Sequence, residues 1–90
     1  MKFHYTYVLY SLKDRKLYIG YSSDVFRRFE QHNNGENTST KSRRPFKLIF
    51  YEAYLYKEDA LKREQYFKSS GGKRALKLML AETLKKLETL

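Results

Sequence analysis

Glu64 is the residue whose position structure alone explains least. If Lys57 to about Ser69 forms a helix, the 3–4 spacing puts Glu64 on one face with Ala60, Leu61, Phe67 and Lys68. A carboxylate turned toward a core costs several kcal/mol unless something positive meets it. An Arg or Lys in a structural ion pair is the plain answer, and 19 basic residues against 10 acidic make one easy to find. Arg28 and His32 lie four apart, so they share a helix face, and of the adjacent Arg27 and Arg28 one can face solvent and the other the sheet. His32 near a helix end is either a cation favouring the helix dipole or a proton-transfer group. Tyr7 and Tyr18 fall on adjacent strands, where a tyrosine is ordinarily a core residue with its hydroxyl at the edge. Such side chains can hold ions and move protons.

Other chemistries are excluded. There is no cysteine, so disulfides, thiolate zinc sites and thiol catalysis are absent, and His4 with His32 cannot close a zinc site. No phosphate loop, dinucleotide-binding glycine motif or nucleophile elbow is present. Gly71-Gly72, followed by Lys73 and Arg74, reads as a helix break that could also cradle a phosphate.

The elements that must position these residues follow from local pattern. Phe3 to Leu12 and Leu17 to Tyr21 are rich in β-formers and flank a polar turn, Lys13 to Lys16, so they predict a hairpin. Gly20, late in its strand, implies a bulge or a close approach to the backbone. Ser22 and Ser23 offer an N-cap, with Asp24 in the first turn, for a helix over Val25 to His32 whose apolar side carries Val25, Phe26 and Phe29. Asn33-Asn34-Gly35 ends it. A polar loop from Glu36 to Arg44 leads through Pro45 to a third strand, Phe46 to Leu55. The helix from Lys57 is followed by a last one, Lys73 to Leu90, with Ala75, Leu76, Met79, Leu80, Thr83, Leu84 and Leu87 in a core-facing stripe. The order β-β-α-β-α-α predicts an α+β domain: a small, three-stranded, mostly antiparallel sheet flanked by three helices.

Ninety residues allow one domain, residues 1–90. A stable secreted domain this small and free of cysteine is uncommon, so a cytoplasmic location is expected. No run is long enough to span a membrane, and the N-terminus lacks a signal-peptide core. The net charge of +9 makes nucleic acid the natural partner.

In order and spacing these positions resemble the GIY-YIG nuclease family. Tyr18-Ile19-Gly20 matches the second half of the family signature, with Arg28 ten residues after that tyrosine and His32 four later. Tyr5-Thr6-Tyr7 takes the place of the first half, with Tyr5 where the family has glycine. Glu64, in Arg63-Glu64-Gln65-Tyr66-Phe67, occupies the position of the family's metal-binding glutamate. Nearly the whole chain is covered: motif region 5–32, metal-site helix 57–69 and C-terminal helix 73–90. It is most similar to the short, stand-alone bacterial members, which share the loop Ser39-Thr40-Lys41-Ser42-Arg43-Arg44-Pro45. A late asparagine found in many relatives has no counterpart, since the last one here is Asn37.

The resemblance implies an endonuclease that hydrolyses phosphodiesters, DNA before RNA, in repair or recombination. It implies one Mg²⁺ or Mn²⁺ on Glu64, Arg28 donating to the phosphate, Tyr7 or Tyr18 taking a proton from water, and His32 relaying it or orienting a phosphate. Arg27, Lys41, Arg43, Arg44, Lys73 and Arg74 would contact the nucleic-acid backbone. The rival readings are the same fold binding nucleic acid without cutting, and a basic structural protein of a ribonucleoprotein.

Overall fold

A computed structural model describes all residues, 1–90. The first strand, β1 (His4–Ser11), lies between β2 (Leu17–Ser22) and β3 (Phe46–Tyr54), and both pairings are antiparallel. Helix α1 (Val25–Asn33) connects β2 to a polar loop containing one 3₁₀ turn, Lys41–Arg43. After β3 come α2 (Lys57–Lys68), α3 (Ser70–Met79) and α4 (Ala81–Leu87). The α+β sheet is therefore as expected, wholly antiparallel, with four helices rather than three.

The central strand is buried on both faces from Thr6 to Ser11. On one face Tyr7 and Leu9 pack with Val25 of α1 and Phe46, joined by the partly buried Tyr5, Tyr18, Phe29 and Leu48. On the other, Val8 and Ile19 meet Phe67, Leu76 and Leu80 of the later helices. Thr6 is satisfied there by donating to the Ala60 carbonyl at 2.6 Å.

Several local expectations are corrected. Asp24, rather than Ser22 or Ser23, is the N-cap of α1: its extended backbone lets the carboxylate accept from Arg27 N at 3.2 Å. Phe26 points outward, 58% exposed, because buried Val25 and His32 set the inward face and Phe26 lies about 100° from Val25 around the helix. Gly71 and Gly72 do not break the chain but lie inside α3, which Ser69 caps through Gly72 N. A methyl on Gly72 would fall 1.7 Å from the Tyr66 carbonyl oxygen, so glycine is there for close passage past α2. The single last helix is divided at Leu80, whose φ of −108° and ψ of 23° leave the helical range, and Met79 of the expected stripe is exposed while Leu76, Leu80 and Leu87 are buried. Lys68 is exposed rather than inward. The bulge considered at Gly20 falls instead in β3, where Ile49 has no partner between Leu48 and Phe50.

Candidate active site

Gly20 opens the site. It sits opposite Tyr7 in the β1–β2 register, and a methyl at Gly20 would lie 2.5 Å from the Tyr7 ring carbon Cζ and hydroxyl. The missing side chain thus lets the Tyr7 phenol lie flat across the edge strand toward α1. There it meets His32, whose Nε2 is 3.0 Å from the Tyr7 hydroxyl. The Tyr18 ring stands edge-on to the same imidazole, with centroids 4.9 Å apart, and 6.3 Å from Tyr7.

His32 is fully buried, and its other nitrogen, Nδ1, is 2.8 Å from the hydroxyl of Thr40, itself buried. Protons can be placed along this chain. The Thr40 hydroxyl donates to the Asn37 carbonyl at 3.4 Å, so it accepts from Nδ1–H, and Nε2 is left to accept from the Tyr7 hydroxyl. Burial, helped by the Arg28 cation, holds the imidazole down at about 4, so it is neutral and does not serve as a charged helix cap. Burial also pushes Tyr7 up to about 12; Tyr18 and Glu64 push the same way, and Arg28 pulls against them. The two shifts run in opposite directions, so the proton stays on Tyr7. Both groups are therefore neutral at rest.

Arg28 reaches this centre from one side of α1, its guanidinium close enough to act on both Tyr7 and His32 while Nη1 donates to Gln31 at 3.2 Å. Glu64, on α2, is near enough for its charge to be felt at Tyr7. The structural ion pair that could have absorbed Glu64 is made by its neighbour: Arg63 grips Glu52 of β3 at 2.9 and 3.3 Å. Glu64, with a side chain 13% exposed, keeps only Lys68 at 3.2 Å, an i,i+4 pair with a half-exposed lysine. The pair is one contact to one carboxylate oxygen, with the lysine end in solvent, so the other oxygen of Glu64 is left for a stronger cation. Its Oε1 takes no protein hydrogen bond and is not sealed from solvent. No cluster of three His, Asp or Glu residues gathers anywhere. A lone carboxylate with an open oxygen still fits Mg²⁺, which keeps most of its waters and takes one or two carboxylates.

The model of the GIY-YIG catalytic domain matches residues 3–77. The chain belongs to the GIY-YIG family. A UPF0213 protein of Staphylococcus saprophyticus is 42% identical over 77 residues, spanning 84% of this chain and 93% of that one. One from Staphylococcus aureus is 40% identical over 80 residues, 88% and 96% of the two chains. The solution structure of a UPF0213 protein from Bacillus halodurans superposes with a TM-score of 0.53 at 36% identity, covering 86% of this chain and 84% of that one.

Within this GIY-YIG domain, Tyr7, Tyr18, Arg28 and His32 gather around one buried hydrogen-bond chain, while Glu64 pairs with Lys68 and reaches the group only through its charge at Tyr7. Thr40 was missed. Its only sequence signal is its place in the loop shared with short members, because pairing with an imidazole eight residues earlier is set by loop closure. The expected backbone contacts divide. Arg27, Lys41, Arg44, Lys73 and Arg74 are exposed. Arg43 is turned inward and held by Asp14 at 2.6 Å, which brings that carboxyl down to about 2. No helix is long and apolar enough to cross a membrane.

Proposed function

We propose that this GIY-YIG domain is a metal-dependent endonuclease that hydrolyses nucleic-acid phosphodiesters, DNA in preference to RNA. The observation that carries the reading is the meeting of Arg28, two phenols and the weakly paired Glu64 on a chain with net charge +9. A guanidinium fork beside phenols suits a phosphate with a water next to it.

Glu64 would hold one Mg²⁺ or Mn²⁺, which when bound supplies Lewis-acid stabilisation at the phosphate. Arg28 donates to the phosphate oxygens as charge builds on them. Tyr18 is the better proton acceptor for the attacking water. Its hydroxyl is not sealed from solvent and takes no protein hydrogen bond, whereas the Tyr7 proton is committed to His32. Tyr7 and His32 then act as positioning residues, with Thr40 fixing the tautomer that accepts the Tyr7 proton. His32, being sealed, would not touch a phosphate. Exposed Arg27, Lys41, Lys73 and Arg74 would supply sequence-independent contacts.

The Glu64–Lys68 pair favours a second reading, in which the domain binds nucleic acid without cutting it. Nicking of supercoiled, branched and single-stranded DNA in Mg²⁺, Mn²⁺ or EDTA separates the two. Glu64→Ala should lower metal-dependent cutting by at least about 10³-fold, the several kcal/mol a metal supplies, with binding retained. Cutting that survives EDTA or Glu64→Ala rejects the metal reading, and binding with no cutting under any condition leaves the second.

A further inference from the structure

Two adjacent arginines before β3 have opposite fates. Arg43 is consumed: Nε and Nη2 hold Asp14 at 2.6 and 3.3 Å, Nη2 also reaches the Leu17 carbonyl at 3.4 Å, and the guanidinium covers the Phe46 ring. Arg44 meets no carboxylate. Its Nε donates to the Lys41 carbonyl at 2.9 Å, and its fork lies over Gly35, where a methyl would fall 2.7 Å from Nη1. Gly35 has φ +75°, so glycine there serves both the turn and the stacking of the guanidinium. The backbone aims Arg44 while its Nη donors keep no protein acceptor.

That fork enters an open cavity of about 620 Å³ whose charged walls are Lys13, Lys41 and Arg44, with the hydroxyl residues Thr38 and Ser42 between them. Neither a carboxylate nor an aromatic ring lines it. Asn33 closes one side; its amide is already bound to both Phe46 N and Phe46 O, so it is rigid. It also follows His32 directly in α1, which ties the cavity wall to the helical turn that carries the site.

We propose that this groove is a second phosphate subsite, holding a phosphate of the nucleic acid other than the one at Arg28. It rests on the nucleic-acid reading above and not on cleavage. Three uncompensated cations attract an anion, and a preset guanidinium matches two phosphate oxygens. The absence of aromatic rings removes base stacking, so what is recognised is phosphate and not base sequence. An internal diester and a terminal monoester both present that chemistry.

Binding of the full chain to a short labelled duplex, measured by anisotropy in EDTA across a range of salt, tests the subsite. Arg44→Ala should weaken binding about equally for different sequences and reduce the log–log salt slope by about 0.9, one phosphate contact. Arg43→Ala, which breaks a clamp within the fold, should lower the melting temperature and leave the slope unchanged. Duplexes with and without 5′-phosphates separate the sources: a change confined to phosphorylated ends supports a monoester, an equal change a diester. If wild type binds and Arg44→Ala keeps the same affinity and slope, the subsite is overturned while the nucleic-acid reading stands. If wild type binds no nucleic acid, both fall.

Discussion

On one face of the central strand, Val8 packs with Ile19, Phe67, Leu76 and Leu80, all apolar. On the other, Tyr7 and Leu9 share their space with His32 and Thr40, whose polar atoms are chained by hydrogen bonds from Tyr7 to the Asn37 carbonyl. The central strand is buried on both faces, yet the two answer to different physics. The helical face is held by apolar area, which is non-directional and tolerates small rearrangement. The α1 face is held by a network in which each buried polar group needs its partner, so it specifies one geometry. The scaffold can therefore vary where the phenols cannot.

Truncation of the apolar face gives the largest effect. Phe67→Ala should cost about 3–5 kcal/mol in urea unfolding, while cutting per folded molecule stays near wild type. Lost activity without lost stability would erase the contrast between the faces.

Acid probes the polar face. His32 is held at about 4 in the folded chain against an ordinary 6.5. Between those values the unfolded chain binds the proton and the folded chain does not, so stability rises with pH there. The contribution is complete above 6.5 and lost as pH falls to 4, on the order of 3 kcal/mol. Unfolding of wild type and His32→Gln at pH 7 and pH 4 should show this slope in wild type alone. An equal slope in both would place the titration elsewhere.

The smallest effect is the most local. Gly20→Ala must displace the Tyr7 phenol by the width of a methyl contact. Cutting should fall about 10²-fold, the cost of a misplacement near 1 Å, and the melting temperature should move less than with Phe67→Ala. Unchanged cutting would show that the position of Tyr7 does not matter to the chemistry.

Much of this was legible in the chain itself. The hairpin, α1 and α2 follow from β-formers, a polar turn and 3–4 spacing, because those signals act within a few residues. For the last helix the local pattern starts one turn late and shows one piece where there are two. A glycine pair signals a break, and only the passage past Tyr66 turns Gly72 into a packing requirement. Phe26 defies its pattern because aromaticity marks burial only on average, and Val25 and His32 set the helix phase.

The amino-acid order alone determined the family, the three strands, the first two helices, the surplus of positive charge and the gathering of Tyr7, Tyr18, Arg28 and His32. Only the tertiary structure decided that His32 is sealed and neutral, that Thr40 holds it, that Arg63 and not Glu64 joins the sheet, and that Arg43 is spent while Arg44 is free. The reason is that pairing between polar groups far apart in the chain depends on distances of a few tenths of an ångström, and no local propensity encodes those.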